Sequence, residues 1–305
     1  MIHITYYPST DDTLSSGHIL WEIFTVFIFS FLIDCKPIYN STWDKCLIVS
    51  KTSFKKFTTK PLEKYDKIIN IDNLRKWESI SFNDFINIKN IIEKNKRLHT
   101  TILVKLSNVC KIHPDVLCFW YNKKQISREL FSSKALPLLQ NLYYFDHDNN
   151  EINAFAIHMR RGDLCKWCYD IGFTIDYYIK IINIINEKMN IPINIYTESA
   201  GKNTSTQLSI NANERKNINY NDILRLQNLK NVTIYAGEKK DFSSHFNALC
   251  RSKYLMISPS SFSLWAAFIS KGMIFVDTKC LDRPNLFRHI KLISKFIVFD
   301  EFKFD

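Results

Sequence analysis

Apolar and polar residues alternate in short runs along this chain, and the runs change period in a regular way. The stretch IHITYY near the N-terminus is β-branched and aromatic and predicts a strand, followed by the polar loop PSTDDTLSSGH. A helix is expected from about Leu20 to Ile33, then strands at 46–50 (CLIVS), 67–71 (KIINI) and 102–106 (ILVKL). Between the last two, Ser81-Phe-Asn-Asp84 opens an amphipathic helix over 84–95, and 127–142 reads as a further helix. The second half repeats the scheme: strands at 152–159 (INAFAIHM), 193–197 (INIYT), 232–236 (VTIYA), 254–258 (YLMIS) and 273–277 (MIFVD). Helices are expected between them at 175–189, 242–253 and 262–270, with a variable stretch at 201–228. Strands alternating with helices imply parallel pairing, so the pattern predicts an α/β fold of two Rossmann-like domains, 1–145 and 146–305. In such sheets ligands bind beyond the carboxyl ends of the strands. The residues to inspect are therefore 160–163, 197–199 and 259–263.

Composition narrows the chemistry by a shortage. The 305 residues contain only 6 glycines, and no two lie closer than ten positions. Neither a G-x-G-x-x-G dinucleotide loop nor a G-x-x-x-x-G-K-[ST] phosphate loop can be built from them. Any phosphate must be held by side chains or a helix N-terminus. The net charge of +11 is spread over both halves without a block of one sign, which steers anionic partners without naming them. The most apolar stretch, Ile19 to Ile33, is interrupted by Glu22 and falls short of the ~20 residues that span a bilayer. The N-terminus lacks a basic region and an apolar core of secretory type. A cytoplasmic protein with no transmembrane anchor is expected, with its eight cysteines reduced and its three N-x-[ST] sequons without consequence. Cys165-Lys-Trp-Cys168 lacks the second pair that a zinc site would need.

Two constellations carry candidate chemistry. His158-Met-Arg160-Arg161-Gly162-Asp163 closes the strand 152–159. Strand alternation sends His158 and Arg160 to one side and Met159 to the other. Adjacent guanidinium forks at a strand end suit bidentate contact with an anion. Asp163 is placed to orient them or to act as a base. The second is Ser258-Pro-Ser260-Ser261-Phe262-Ser263, where a serine N-cap and the amides of a first helical turn form an anion site without glycine. Both lie on one carboxyl edge, which points to a diphosphate.

HMRRGD followed by SPSSFSLWAAFIS resembles the alpha-1,2/alpha-1,6-fucosyltransferase superfamily, which includes the protein O-fucosyltransferases. Gly17-His18 and the apolar helix after it resemble the glycine-containing loop with which these enzymes open. The resemblance implies a GT-B-type glycosyltransferase, inverting and metal-independent, with no cofactor. Its donor would be GDP-fucose or a related GDP-sugar on the C-terminal domain, and its acceptor a glycan or glycoconjugate in the interdomain cleft. It implies that Arg160 holds the β-phosphate and that His158, Arg161 and Asp163 shape the same pocket. Ser260, Ser261, Phe262 and Ser263 would cap the diphosphate, Glu198 would contact guanine or ribose, and Gly17 and His18 would line the donor site. The acceptor hydroxyl needs a base, for which Asp163, Glu22 and His18 are candidates. The chain departs from the family at Cys168, where one branch carries an acidic residue, and at Leu264, where a tryptophan is frequent.

Two other readings compete. Asp146-His-Asp148 has the D-x-D spacing with which metal-dependent glycosyltransferases hold a divalent cation, although Asn149-Asn150 makes a turn equally good. A basic nucleic-acid-binding protein would suit the charge, but its aromatic residues lie in apolar elements rather than beside Lys/Arg clusters. No nucleic-acid partner is therefore expected.

Overall fold

The computed structural model describes residues 2–6, 35–37, 65–71, 79–80, 82–96, 102–106, 111–112, 150–160, 172–198, 223–237, 242–281 and 296–299. The chain divides into two compact units, Met1–Asp148 and Asn149–Asp305. The expected elements at 20–33, 46–50 and 127–142 lie outside the described residues.

The described part of the first unit comprises β1 (Ile2–Tyr6), β2 (Lys36–Pro37), β3 (Lys67–Ile71), β4 (Ser79–Ile80), α1 (Phe82–Lys96), β5 (Ile102–Leu106) and β6 (Lys111–Ile112). Four of these strands form a parallel sheet in the order β2-β1-β5-β3, and β4 pairs with β6 alone. Helix α1 begins two residues before its expected start and buries Ile92. Its Asn95 accepts from the Lys67 ammonium at 3.5 Å, which ties the helix to β3.

The second unit comprises β7 (Ile152–Met159), α2 (Ile175–Lys188), β8 (Ile193–Glu198), α3 (Leu224–Gln227), β9 (Val232–Gly237), α4 (Phe242–Arg251), β10 (Ser252–Met256), α5 (Ser261–Ile269), β11 (Met273–Asp277), α6 (Thr278–Leu281) and β12 (Phe296–Phe299). Six strands form one parallel sheet in the order β12-β11-β10-β7-β8-β9. Counted from β7 as the first, this is the 3-2-1-4-5-6 order of doubly wound nucleotide-binding sheets. The sequence predicts five strands here; the sixth, β12, is the short run FIVF near the C-terminus. Helix α4 also ends at Arg251 rather than at Lys253, because Ser252 already pairs with Ile152 of β7.

Pleating sorts β7 into two faces. Phe155, Ile157 and Met159 lie on one, where Phe155 meets Phe275 of β11 at 5.0 Å between ring centroids. Helix α2 covers that face. It starts at Thr174, whose hydroxyl accepts from the Tyr177 amide, and it buries Ile175, Tyr178, Ile181, Ile182 and Ile185 at helical spacing. The Tyr177 hydroxyl donates to the fully buried Asp277 carboxylate at 2.6 Å, locking α2 to the end of β11. Burial, with the Asp277 charge next to it, drives the Tyr177 pKa upward, so the phenol keeps its proton. Ala154, Ala156 and His158 lie on the other face, beneath α4 and α5. There Phe246 of α4 and Phe262 of α5 pack edge to face at 5.2 Å.

A candidate anion site at the strand switch point

Strands β7 and β10 are neighbours whose crossovers lead to opposite ends of the sheet, which makes the gap beyond their carboxyl ends the topological switch point. His158 and Arg160 sit at the end of β7. The loop 257–260 that joins β10 to α5 faces them.

The loop is held by its own serines. Ser260 is the N-cap of α5, extended at φ −144° and ψ 133°, and its Oγ accepts from the Phe262 amide at 3.2 Å. Ser263 is fully buried, and its hydroxyl lies 3.1 Å from the Ser258 carbonyl, 3.2 Å from the Ser260 carbonyl and 3.3 Å from the Ser258 amide. Helix amides and hydroxyls that the sequence offers to a ligand are thus partly spent on shaping the loop. Ser263 in particular serves the backbone.

Strand and loop are joined by two side-chain bonds. His158 Nδ1 lies 2.6 Å from Ser258 Oγ, and Arg160 donates from Nη1 to Ser260 Oγ at 3.0 Å. Both partners are two residues apart on each side, so alternation of the strand matches the spacing of the loop. Ser258 and Ser260 are almost wholly buried, whereas Arg160 keeps partial exposure. The Ser260 hydroxyl therefore helps to orient the guanidinium at the end of the strand.

His158 is enclosed, and burial, reinforced by the charges of Arg160 and His245, pushes its pKa down to about 3. It is a neutral imidazole at physiological pH. Its ring packs against Phe262 at 5.4 Å, and Phe262 in turn meets Phe246. His245 stands with its ring edge-on to Tyr196 at 5.4 Å. Tyr196 stacks on Tyr235 at 5.0 Å and 11°, and burial raises its pKa to about 12. Glu198 is the last residue of β8, in register with Gly237.

The structure therefore brings His158, Arg160, Ser260, Phe262 and Ser263 together, with Ser261 as the first residue of α5. Gly17, His18, Glu22, Arg161 and Asp163 lie outside the described residues, as do Cys165, Cys168, Asp146 and Asp148. His245 enters the site without having been singled out by the sequence pattern, and Ser258, the first residue of the serine motif, enters it as a partner of His158. His245 carries no local signal. No group of His, Cys, Asp and Glu among the described residues is arranged to hold a metal ion, and no described helix is long and apolar enough to cross a membrane.

No family model matches the sequence. No curated protein matches it either. Among solved structures, the chain is similar to the apo form of POFUT1, with 11% identity over 97% of both chains and a TM-score of 0.37. It is also similar to two crystal structures of POFUT1 in complex with GDP. One has 12% identity, a TM-score of 0.39 and coverage of 88% of this chain and 96% of that one. The other has 12% identity, a TM-score of 0.40 and coverage of 97% and 98%. At these scores the likeness decides nothing about the site, whose reading rests on the residues above.

Proposed function

We propose that this protein is an inverting, metal-independent glycosyltransferase that transfers fucose from GDP-fucose to a glycan acceptor. The observation that carries the reading is the 3.0 Å bond between Arg160 and Ser260. It joins the two motifs that resemble the fucosyltransferase superfamily, at the point of the sheet where doubly wound folds bind nucleotides.

Transfer breaks the bond between the sugar's anomeric carbon and the β-phosphate oxygen, and the electron pair leaves with GDP. Negative charge grows on that oxygen, so a fixed cation placed there lowers the barrier. Arg160 supplies the cation, and Ser260 fixes its aim. The first turn of α5, from Ser261, adds the positive end of a helix dipole. The acceptor hydroxyl forms the new bond from the opposite side of the sugar ring and gives its proton to a carboxylate or imidazole, for which Asp163, Glu22 and His18 are the candidates. Arg161 shapes the phosphate pocket beside Arg160, and Glu198 accepts hydrogen bonds from the nucleoside.

Thermal-shift titration with GDP, UDP, ADP and CMP tests the reading, because a ligand that binds only the native state raises its apparent stability. A shift with GDP alone supports it, and a shift with UDP alone sinks it.

A further inference from the structure

We propose that Ser258 is a positioning residue that sets the aim of Arg160, acting through its bond to His158. The inference rests on the reading of the site given above. The hydroxyl of Ser258 and Nδ1 of His158 are 2.6 Å apart and buried, one step further into the protein than the Arg160–Ser260 pair. One proton is shared between them, and either tautomer of a neutral imidazole satisfies the pair. The two bonds run side by side from strand β7 to the loop 257–260. A single bond would leave the end of the strand free to turn about that one contact. Two bonds at matched spacing fix its register, so that Ser260 meets the guanidinium at one angle.

The wall behind this clasp is rigid. Phe262 packs on the His158 ring and Phe246 on Phe262, while the Ser263 hydroxyl ties the Ser258 and Ser260 carbonyls together. Removing the Ser258 hydroxyl leaves His158 Nδ1 buried without this partner and removes one of the two side-chain ties between strand and loop. The guanidinium then loses its fixed direction although every atom that touches the donor is still present. Such a loss falls on kcat more than on the donor KM, because orientation counts most where charge develops.

The test compares wild type, Ser258→Ala, Arg160→Ala and the double variant, by calorimetric GDP affinity and by the kinetics of transfer from GDP-fucose. Ser258→Ala is expected to lower kcat/KM about tenfold, the size of one lost buried hydrogen bond. In the Arg160→Ala background the same change should alter GDP affinity and turnover by less than about twofold, since the two act as a unit. An equal loss in both backgrounds means general packing and overturns the inference, as does full activity in Ser258→Ala. If Ser258→Ala fails to fold, Ser258→Cys, close in volume and a weak hydrogen-bonding group, carries the same comparison with an intermediate loss. Wild-type protein that binds no GDP overturns the reading of the site and this inference with it. Wild type that binds GDP beside an unimpaired Ser258→Ala overturns the inference alone.

Discussion

Arg160 and Ser260, a hundred residues apart in the chain, meet at 3.0 Å where β7 ends and α5 begins. The serine accepts from the guanidinium and from the Phe262 amide with the same oxygen, so one side chain caps a helix and aims a cation.

Arg160→Ala is expected to lower kcat/KM by about a hundredfold to a thousandfold, the usual cost of one donor to a developing oxyanion. Ser260→Ala loses less activity but also destabilises the fold by about 1 kcal/mol, since it removes an N-cap. Steady-state kinetics with GDP-fucose and urea denaturation of both variants separate the two effects.

Acid should unfold the protein through His158. Its folded pKa of about 3 lies below the ordinary value of 6.5, so the unfolded chain binds the proton first as pH falls. This contribution to stability is therefore intact above pH 6.5 and is lost progressively between 6.5 and 3. The slope from one such group approaches about 1.4 kcal/mol per pH unit. Urea midpoints measured from pH 7 to pH 4 should fall less steeply in His158→Asn than in wild type.

Tyr177→Phe removes a donor to the wholly buried Asp277 carboxylate, which keeps the Lys279 amide at 2.7 Å. A loss of about 1–3 kcal/mol is expected, the range for removing one hydrogen-bond partner from a buried charged group. Calorimetric melting reads it, with little change in donor affinity.

Gly272 admits no side chain. A Cβ there would lie 2.3 Å from the Ser252 carbonyl oxygen and 2.6 Å from that of Lys253, both backbone atoms that a rotamer change cannot move. Gly272→Ala should push β10 and β11 apart and cost about 1–3 kcal/mol, the range for overpacking. A thermal melt equal to wild type would show that the strands yield freely.

Chelation is expected to leave transfer unchanged, because the charge on the leaving diphosphate is assigned to Arg160 and the start of α5. Activity assayed before and after dialysis against EDTA decides this, and loss restored by manganese would favour the Asp146-His-Asp148 reading.

Much of the second sheet was legible because its central strands are nearly continuous apolar runs: INAFAIHM, INIYT and MIFVD announce buried parallel strands by length and β-branching. The pair of motifs was legible because two adjacent arginines at a strand end and a run of serines at a helix start are residue types that suit an anion. Strand β12 was not, since FIVF follows a mixed stretch and its outer residues Ile297 and Val298 are exposed at the sheet edge. The end of α4 was misplaced because pairing of Ser252 with Ile152 overrides the helical pattern. His158–Ser258, Tyr177–Asp277 and the approach of His245 are contacts between distant segments, and no local periodicity encodes which polar groups will meet. Ser263 illustrates the same limit: its type suits a ligand, but its neighbours claim it.

The strand order has a consequence for dividing the molecule. β7 with His158 and the adjoining Arg160, and the loop bearing Ser258 and Ser260, lie on either side of the 237–242 junction, although β7 and β10 are adjacent in the sheet. A chain severed there would yield two inert pieces, each with a greasy edge exposed where β7 and β10 should be zipped together. Reassembly would be needed to recreate the guanidinium's seat, making this junction a natural place to build a split reporter whose signal returns only on complementation.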